Sequence, residues 1–377
     1  MDQGSIPPFV PAAGVARWRP QSFDRTSTAI DRIGAGDVRP ILPEFDVWDY
    51  WPLAHRDGRT VSIDGNSFWF FLSAPRFDDP GQRHDSARIR LVSRRDNAWT
   101  DRGAVIPRDL SPGSREWAGS AMLDDDGLSA TLYFTAAGRL DTPGSFEQRL
   151  FEMHGMFDGT ALGKWTSPVE SIVSDGRRYM AARELAGVPG AIKAFRDPAF
   201  FHDPMTGNDH LFFTASAGWD ADLHNGVVGR ATRRAAGWQL DDPVIEAVRV
   251  NNELERPHVR IFDGLYYLFF VTQTRTFANH ATAGPNGLYA FVADRIDGPW
   301  MPVNGSGLVA ANPADEPTQA YSWWVTGEAR VMSFIDHWGM AGRRIDEHPA
   351  LLRAQFGGTV APEFGLHFDG DRVTITG

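Results

Sequence analysis

The sequence predicts an all-β fold: a five-bladed β-propeller with its active site in a central funnel. Three observations predict it. Aromatic-rich apolar runs of one form recur along the chain, a tryptophan recurs in phase with them, and long helical patterns are few. The runs are FWFFLSA from Phe68, LYFTAA from Leu132, LFFTAS from Leu211 and YLFFVTQ from Tyr267. Each is too short for a buried helix and rich in β-formers, so each reads as an inner strand of a sheet covered on both faces. All four end in small or hydroxyl residues.

Trp99, Trp165, Trp238 and Trp300 each sit in a polar turn a few residues before an apolar stretch, at intervals of 66, 73 and 62 residues. One strand cluster per roughly 60–75 residues is the period of propeller blades decorated with loops. Residues 1–43 read as an N-terminal cap segment. Four repeats follow, and the C-terminal strands LLRAQFG, FGLHFDG and RVTITG supply a fifth. Length alone suggests two or three domains, but that prior is soft for all-β chains. No Pro/Ser-rich linker divides the chain, so residues 1–377 read as a single catalytic domain. A β-sandwich is the rival architecture.

Composition narrows the function. The chain is 42% hydrophobic, enough for a large core, and its Gly 38 and Pro 25 occur without low complexity. A net charge of −11 with no basic run disfavours nucleic acid as a partner and suits a neutral substrate. No apolar run approaches the ~20 residues of a membrane span, so no membrane partner is expected. The absence of cysteine excludes disulfides, zinc–thiolate sites and cysteine nucleophiles, and it suits an oxidising medium. The opening MDQGSIPPFVP shows neither a basic n-region nor an apolar h-region. The 13 Trp are many, as sugar-stacking sites require.

Three carboxylates stand in unusual settings: Asp49 in FDVWDYWPL, Asp197 in FRDPAFFHDP and Glu255 in NNELERPHV. Each lies in or beside an apolar, strand-like segment, where an unpaired carboxylate is expensive. A buried ion pair or a turn explains any one of them; three together point to chemistry. Strand alternation places Glu253 and Glu255 on one face and Asn252, Leu254 and Arg256 on the other, so Arg256 is not expected to neutralise Glu255. Two like charges on one face raise at least one pKa, and Glu255, raised by Asp49, Asp197 and Glu253, is expected to serve as a general acid. Pro198 holds Asp197 in an extended conformation. Paired carboxylates flanking a glycosidic bond are what glycoside hydrolysis requires, and Trp48 and Trp117 offer flat apolar faces to a sugar ring.

The segments VWDYWPL from Val47, EWAGSA from Glu116, FRDP from Phe195, ELERPHV from Glu253 and QAYSWWV from Gln319 together resemble glycoside hydrolase family 68. That family comprises levansucrases, inulosucrases and bacterial β-fructofuranosidases. The match runs in the family's order from about residue 44 to 336, and its ERPHV and TFA wording is similar to the Gram-negative type. The resemblance implies a five-bladed propeller and a secreted, sucrose-cleaving fructosyltransferase of levansucrase type. It implies retaining double displacement, with Asp49 as nucleophile, Glu255 as acid/base and Asp197 as transition-state stabiliser. Trp48, Trp117, Arg196, Glu253 and Tyr321 would line the donor pocket, Arg256 would also bind substrate, and Gln273 would stand on the acceptor side. Sucrose and fructan or sugar acceptors would be the partners, with no cofactor.

Three positions depart from the family pattern. Ala118 stands where a serine hydroxyl often meets the nucleophile. Gln273 replaces an Arg or His, which predicts a weaker grip on a growing chain. Asn252 replaces an acidic calcium ligand, so no metal is expected. Hydrolytic β-fructofuranosidase and inulosucrase activities are the near alternatives. A silent sugar-binding propeller and a glycosidase for another sugar are more remote.

Overall fold

A computed structural model of the chain describes residues 9–183 and 192–376; residues 1–8 of the cap lie outside it. Among the described residues the fold is nearly all strand, with one short α-helix, Leu352–Gln355, and a few 3-10 turns. The strands run as successive antiparallel meanders. The first comprises Phe45–Ala54, Asn66–Pro75, Arg88–Arg95 and Ala98–Ala104. The second starts with Arg115–Leu123, Ser129–Ala137 and Gln148–Phe157, and the third with Phe195–His202, Asp209–Ser216 and Gly226–Arg234. The fourth starts with Glu255–Phe262, Leu265–Thr272 and Gly287–Ala293. The last sheet contains Ala320–Val325, Arg330–His337, Phe356–Val360, Phe364–Asp369 and Arg372–Thr376. A parallel pairing of Leu53 with Ala121 and Ala54 with Met122 merges the first two meanders into one curled ten-stranded sheet.

The opening strand of each meander packs on the opening strand of the next, and Ala320–Val325 packs back on Phe45–Ala54. The arrangement is therefore propeller-like, with these strands around a common axis. The aromatic-rich runs fall on the second strand of each meander. Phe70, Phe71, Phe134, Phe212, Phe213, Phe269 and Phe270 are fully buried there, because neighbouring sheets cover both faces and no position faces water. The repeating tryptophans mark the outer edge: Trp99 on Ala98–Ala104, Trp238 on Gly237–Leu240, Trp165 before Val169–Ile172 and Trp300 before Met301–Pro302.

Two hairpins close on Asp64-Gly65 and Asp263-Gly264, whose positive φ values (50° and 78°, 50° and 80°) match the right-handed twist of the flanking strands. The cap segment is stapled across two sheets. Ala16–Arg17 pairs in parallel with Ile245–Glu246, and the Ile30 N–H donates to the Ala311 carbonyl. Trp18 and Ile33 sink into two different cores.

Candidate active site

Each opening strand breaks its pairing once, at the same level of the axis. The breaks follow Trp48, Trp117, Arg196, Glu255 and Tyr321. The residues at the breaks are Asp49, Ala118, Asp197, Arg256 and Ser322. Four of these have left-handed backbone: Asp49 (φ 23°), Asp197 (60°), Arg256 (51°) and Ser322 (62°), so the extended conformation expected of Asp197 before Pro198 does not hold. A non-glycine residue held there costs about 1–3 kcal/mol and persists only where its surroundings enforce it. A bulge re-aims side chains that strict alternation would send elsewhere. Ten residues from five strands thereby converge at one level.

Hydroxyls at the ends of the aromatic runs latch these bulges. Thr135 Oγ1 accepts from the Asp197 N–H (2.8 Å) and donates to the Ala118 carbonyl (3.1 Å). Thr214 Oγ1 donates to Asp197 Oδ2 (2.9 Å) and accepts from the Arg256 N–H (2.9 Å). Neither threonine stood out in the sequence as a site residue. The only signal was that the runs end in hydroxyl residues.

Arg196 is the centre of charge. Its Nη2 donates to Glu253 Oε2 (3.0 Å) and to Glu255 Oε1 (2.8 Å), and its Nε lies 3.5 Å from Asp197 Oδ2. Its Nη1 is buried with no partner among the described residues. Glu255 Oε2 accepts from the Tyr321 hydroxyl, which Gln273 also contacts. Glu253 and Glu255 thus do face the same way. Arg256 turns to the other side: its Nη1 donates to Ser322 O (2.8 Å) and Oγ (2.6 Å), and its Nη2 to Tyr50 O (2.8 Å). These protein acceptors occupy its guanidinium, while its charge still acts on Asp49. The serine hydroxyl missing at Ala118 is supplied from another strand, because Ser322 hydrogen-bonds Asp49.

Burial raises Asp49 above the ordinary carboxylate range, against the pull of Arg256 and Ser322. Burial likewise lifts Asp197 to about 6, against Arg196. The expectation of a raised Glu255 does not hold. Burial pushes Glu255 up, but the hydrogen bond from Glu253, the charge of Arg196 and the Tyr321 hydroxyl together outweigh it and hold it below its usual value. Burial and the charge of Glu255 push Glu253 up to about 8 instead. The physical reason is that one guanidinium serves two carboxylates, so the pair retains one proton, and that proton rests on the member without the tyrosine.

Of the expected aromatics, Trp48 is buried, with Arg83 5.4 Å above its ring and His84 edge-on at 5.8 Å. Trp117 is half-buried and more open. Arg83 also acts on Asp49, and Arg275 on Glu253. Both are cations of the site that the sequence did not single out; each sits in a short 3-10 segment, and Arg275 lies between Gln273 and the TFA wording without being read itself. Asn252 holds a cation of the chain itself: Lys193 Nζ donates to Leu223 O (2.6 Å), Asn225 Oδ1 (2.7 Å) and Asn252 Oδ1 (3.0 Å).

A profile of the family described as Levansucrase/Invertase matches residues 18–232 and 220–377. A levansucrase of Erwinia amylovora is 32% identical over 381 residues, covering 89% of this chain and 87% of that protein. One from Rahnella aquatilis is 31% identical, covering 92% and 90%. Among solved structures, an inulosucrase from Halalkalicoccus jeotgali bound to kestose superposes with a TM-score of 0.85 at 37% identity, covering 96% of this chain and 95% of that one. Bacillus subtilis levansucrase shares the fold, with a TM-score of 0.77 at 18% identity and coverage of 98% and 96%.

Proposed function

The chain belongs to the levansucrase/invertase family, glycoside hydrolase family 68, and from that premise we propose that it cleaves sucrose through a fructosyl–Asp49 ester in the funnel of a five-bladed propeller. It is a sucrose-acting fructosyltransferase. The observation that carries the proposed mechanism is the convergence of Asp49, Asp197 and the Arg196-bound Glu255 at the bulges of three different opening strands.

In the first step an Asp49 oxygen attacks the anomeric carbon of the fructosyl unit. The glycosidic bond breaks, and glucose leaves with a proton from Glu255. The Glu253–Glu255 pair holds one proton, so Glu255 draws it from its neighbour as charge develops on the leaving oxygen. Asp197, ionised at neutral pH, faces the developing positive charge on the fructosyl ring. Arg196 Nη1 is available to a substrate oxygen. In the second step Glu255 takes a proton from an acceptor hydroxyl or from water. That oxygen attacks the same carbon and frees Asp49. A sugar acceptor gives fructan, and water gives hydrolysis. The likeness to an inulosucrase at 37% identity favours inulin-type linkage as the second reading, and linkage analysis of the polymer separates the two. We place this activity outside the cell, where a chain without cysteine carries no thiol to be oxidised.

Asp49→Ala should lower glucose release from sucrose by more than about 1000-fold with the melting temperature retained. Glu255→Gln should abolish sucrose cleavage but spare the first step on a fructosyl donor with a good leaving group. Substantial turnover by well-folded Asp49→Ala overturns the assignment.

A further inference from the structure

Beyond the catalytic level the five opening strands continue, and their far ends enclose a second cavity of about 250 Å³. Its walls include Ala54, Met122, Phe200, Arg260 and Trp324, three to five residues further along the strands that carry Asp49, Trp117, Asp197, Glu255 and Tyr321. At about 3.3 Å per residue it lies roughly 10–20 Å from the carboxylates, toward the opposite end of the axis.

Arg260 is the unusual member of this wall. It is 5% exposed. Its Nη1 donates to the Val259 carbonyl (2.7 Å), and its guanidinium lies 5.3 Å from the Trp324 ring. Its Nε–H has no partner among the described residues. No carboxylate pairs with it there; Glu328 is the one acid whose charge acts on it, and burial pulls it down to about 10. The other arginine of the cavity differs: Arg56 Nη2 contacts both Asp209 oxygens at 2.6 Å. A buried cation without a counter-ion is costly, and a side chain of similar volume without charge would fill the space more cheaply. Arg260 therefore brings a guanidinium with an unpartnered Nε–H, of the shape that matches a carboxylate, to a cavity whose wall is mixed, with Ala54, Met122 and Phe200 beside the polar His55, Asp57 and His202. One unmatched charge, with Asp57 and Asp209 close by, disfavours a multivalent anion.

We propose that this basal cavity binds a small organic monocarboxylate, its carboxylate on the guanidinium of Arg260 and its apolar body against Met122 and Phe200. The test is a fluorine NMR titration of the protein with 4-fluorobenzoate, with 4-fluorobenzamide as the uncharged isostere. Saturable binding of the benzoate is expected, with the amide at least tenfold weaker. Saturating sucrose in the Asp49→Ala protein should not displace it. Arg260→Gln should weaken it at least tenfold. Should Arg260→Gln fail to fold, Ala54→Leu, which keeps the arginine and fills the cavity from another strand, should weaken it equally. Absence of saturable binding, unchanged binding in either folded variant, or displacement by sucrose overturns the proposal.

Discussion

Arg196 carries two carboxylates on one nitrogen, and that single donor sets how the site titrates. Glu253 ionises at about 8 in the folded protein and near 4.3 when unfolded. Between those values the folded state binds the extra proton, so this group's contribution to stability is full below the unfolded pKa and is lost as pH rises through about 8. Glu253→Gln removes that loss, and its melting temperature should gain on the parent protein as pH rises from 5 to 8. The same change should damage catalysis. Glu255 alone, opposed by Arg196 and Tyr321, would release its proton earlier, so the alkaline limb of kcat/KM should fall by a unit or more. An unmoved limb would show that Glu253 holds no catalytic proton. Gln273 belongs to the same scale. It contacts Tyr321 rather than standing free, and Arg275 two residues on brings a positive charge toward Glu253. Gln273→Arg should shift the ratio of transfer to hydrolysis more than the rate of sucrose cleavage, since each added hydrogen bond to an acceptor is worth on the order of 1 kcal/mol. Sharply lowered cleavage with an unchanged product distribution would remove Gln273 from the acceptor side.

At the scale of the strand, the bulge is the functional unit. The repeated hydroxyl at the end of an aromatic run latches the bulge of a neighbouring strand, so Thr214 serves Asp197 and Arg256 at once. Thr214→Val keeps the shape and deletes both bonds. It should cost about 1–3 kcal/mol, because a buried N–H and a carboxylate oxygen lose their partner. It should also lower kcat through misdirection of Asp197. Chemical denaturation and steady-state kinetics on one preparation check both effects, and a kinetically normal variant would show that the latch does not position Asp197. Alternation foresaw that Glu253 and Glu255 share a face and that Arg256 leaves it. It could not foresee Asp49 and Ser322, because a one-residue bulge reverses the facing of everything after it.

At the scale of the molecule, the sheets close around an axis and the segment before Phe45 ties their outer edges together. Trp18 packs into one core and donates its Nε1–H to the Ser306 carbonyl (2.9 Å), while the Ile33 N–H donates to Gln319 Oε1 (3.0 Å) just before the last sheet. Trp18→Ala should cost about 3–5 kcal/mol and lower the melting temperature by several degrees in a calorimetric scan; an unchanged transition would make the segment an appendage. By itself the sequence determined the all-β class, the strands that carry the aromatic-rich runs and the apolar, strand-like setting of three carboxylates, because hydrophobic period and costly buried charge are local properties that residue order records. The last sheet was less legible, since its second strand, Arg330–His337, carries one phenylalanine where the earlier runs carry several aromatics. Only the tertiary structure decided which carboxylate keeps the proton, that Ser322 stands in for the hydroxyl missing at Ala118, that Lys193 sits at Asn252, and that Arg260 is left without a counter-ion. The first three depend on partners some 57 to 273 residues away, and the interaction energy of two charges or two hydrogen-bonding groups depends on their separation in space, which residue order does not record.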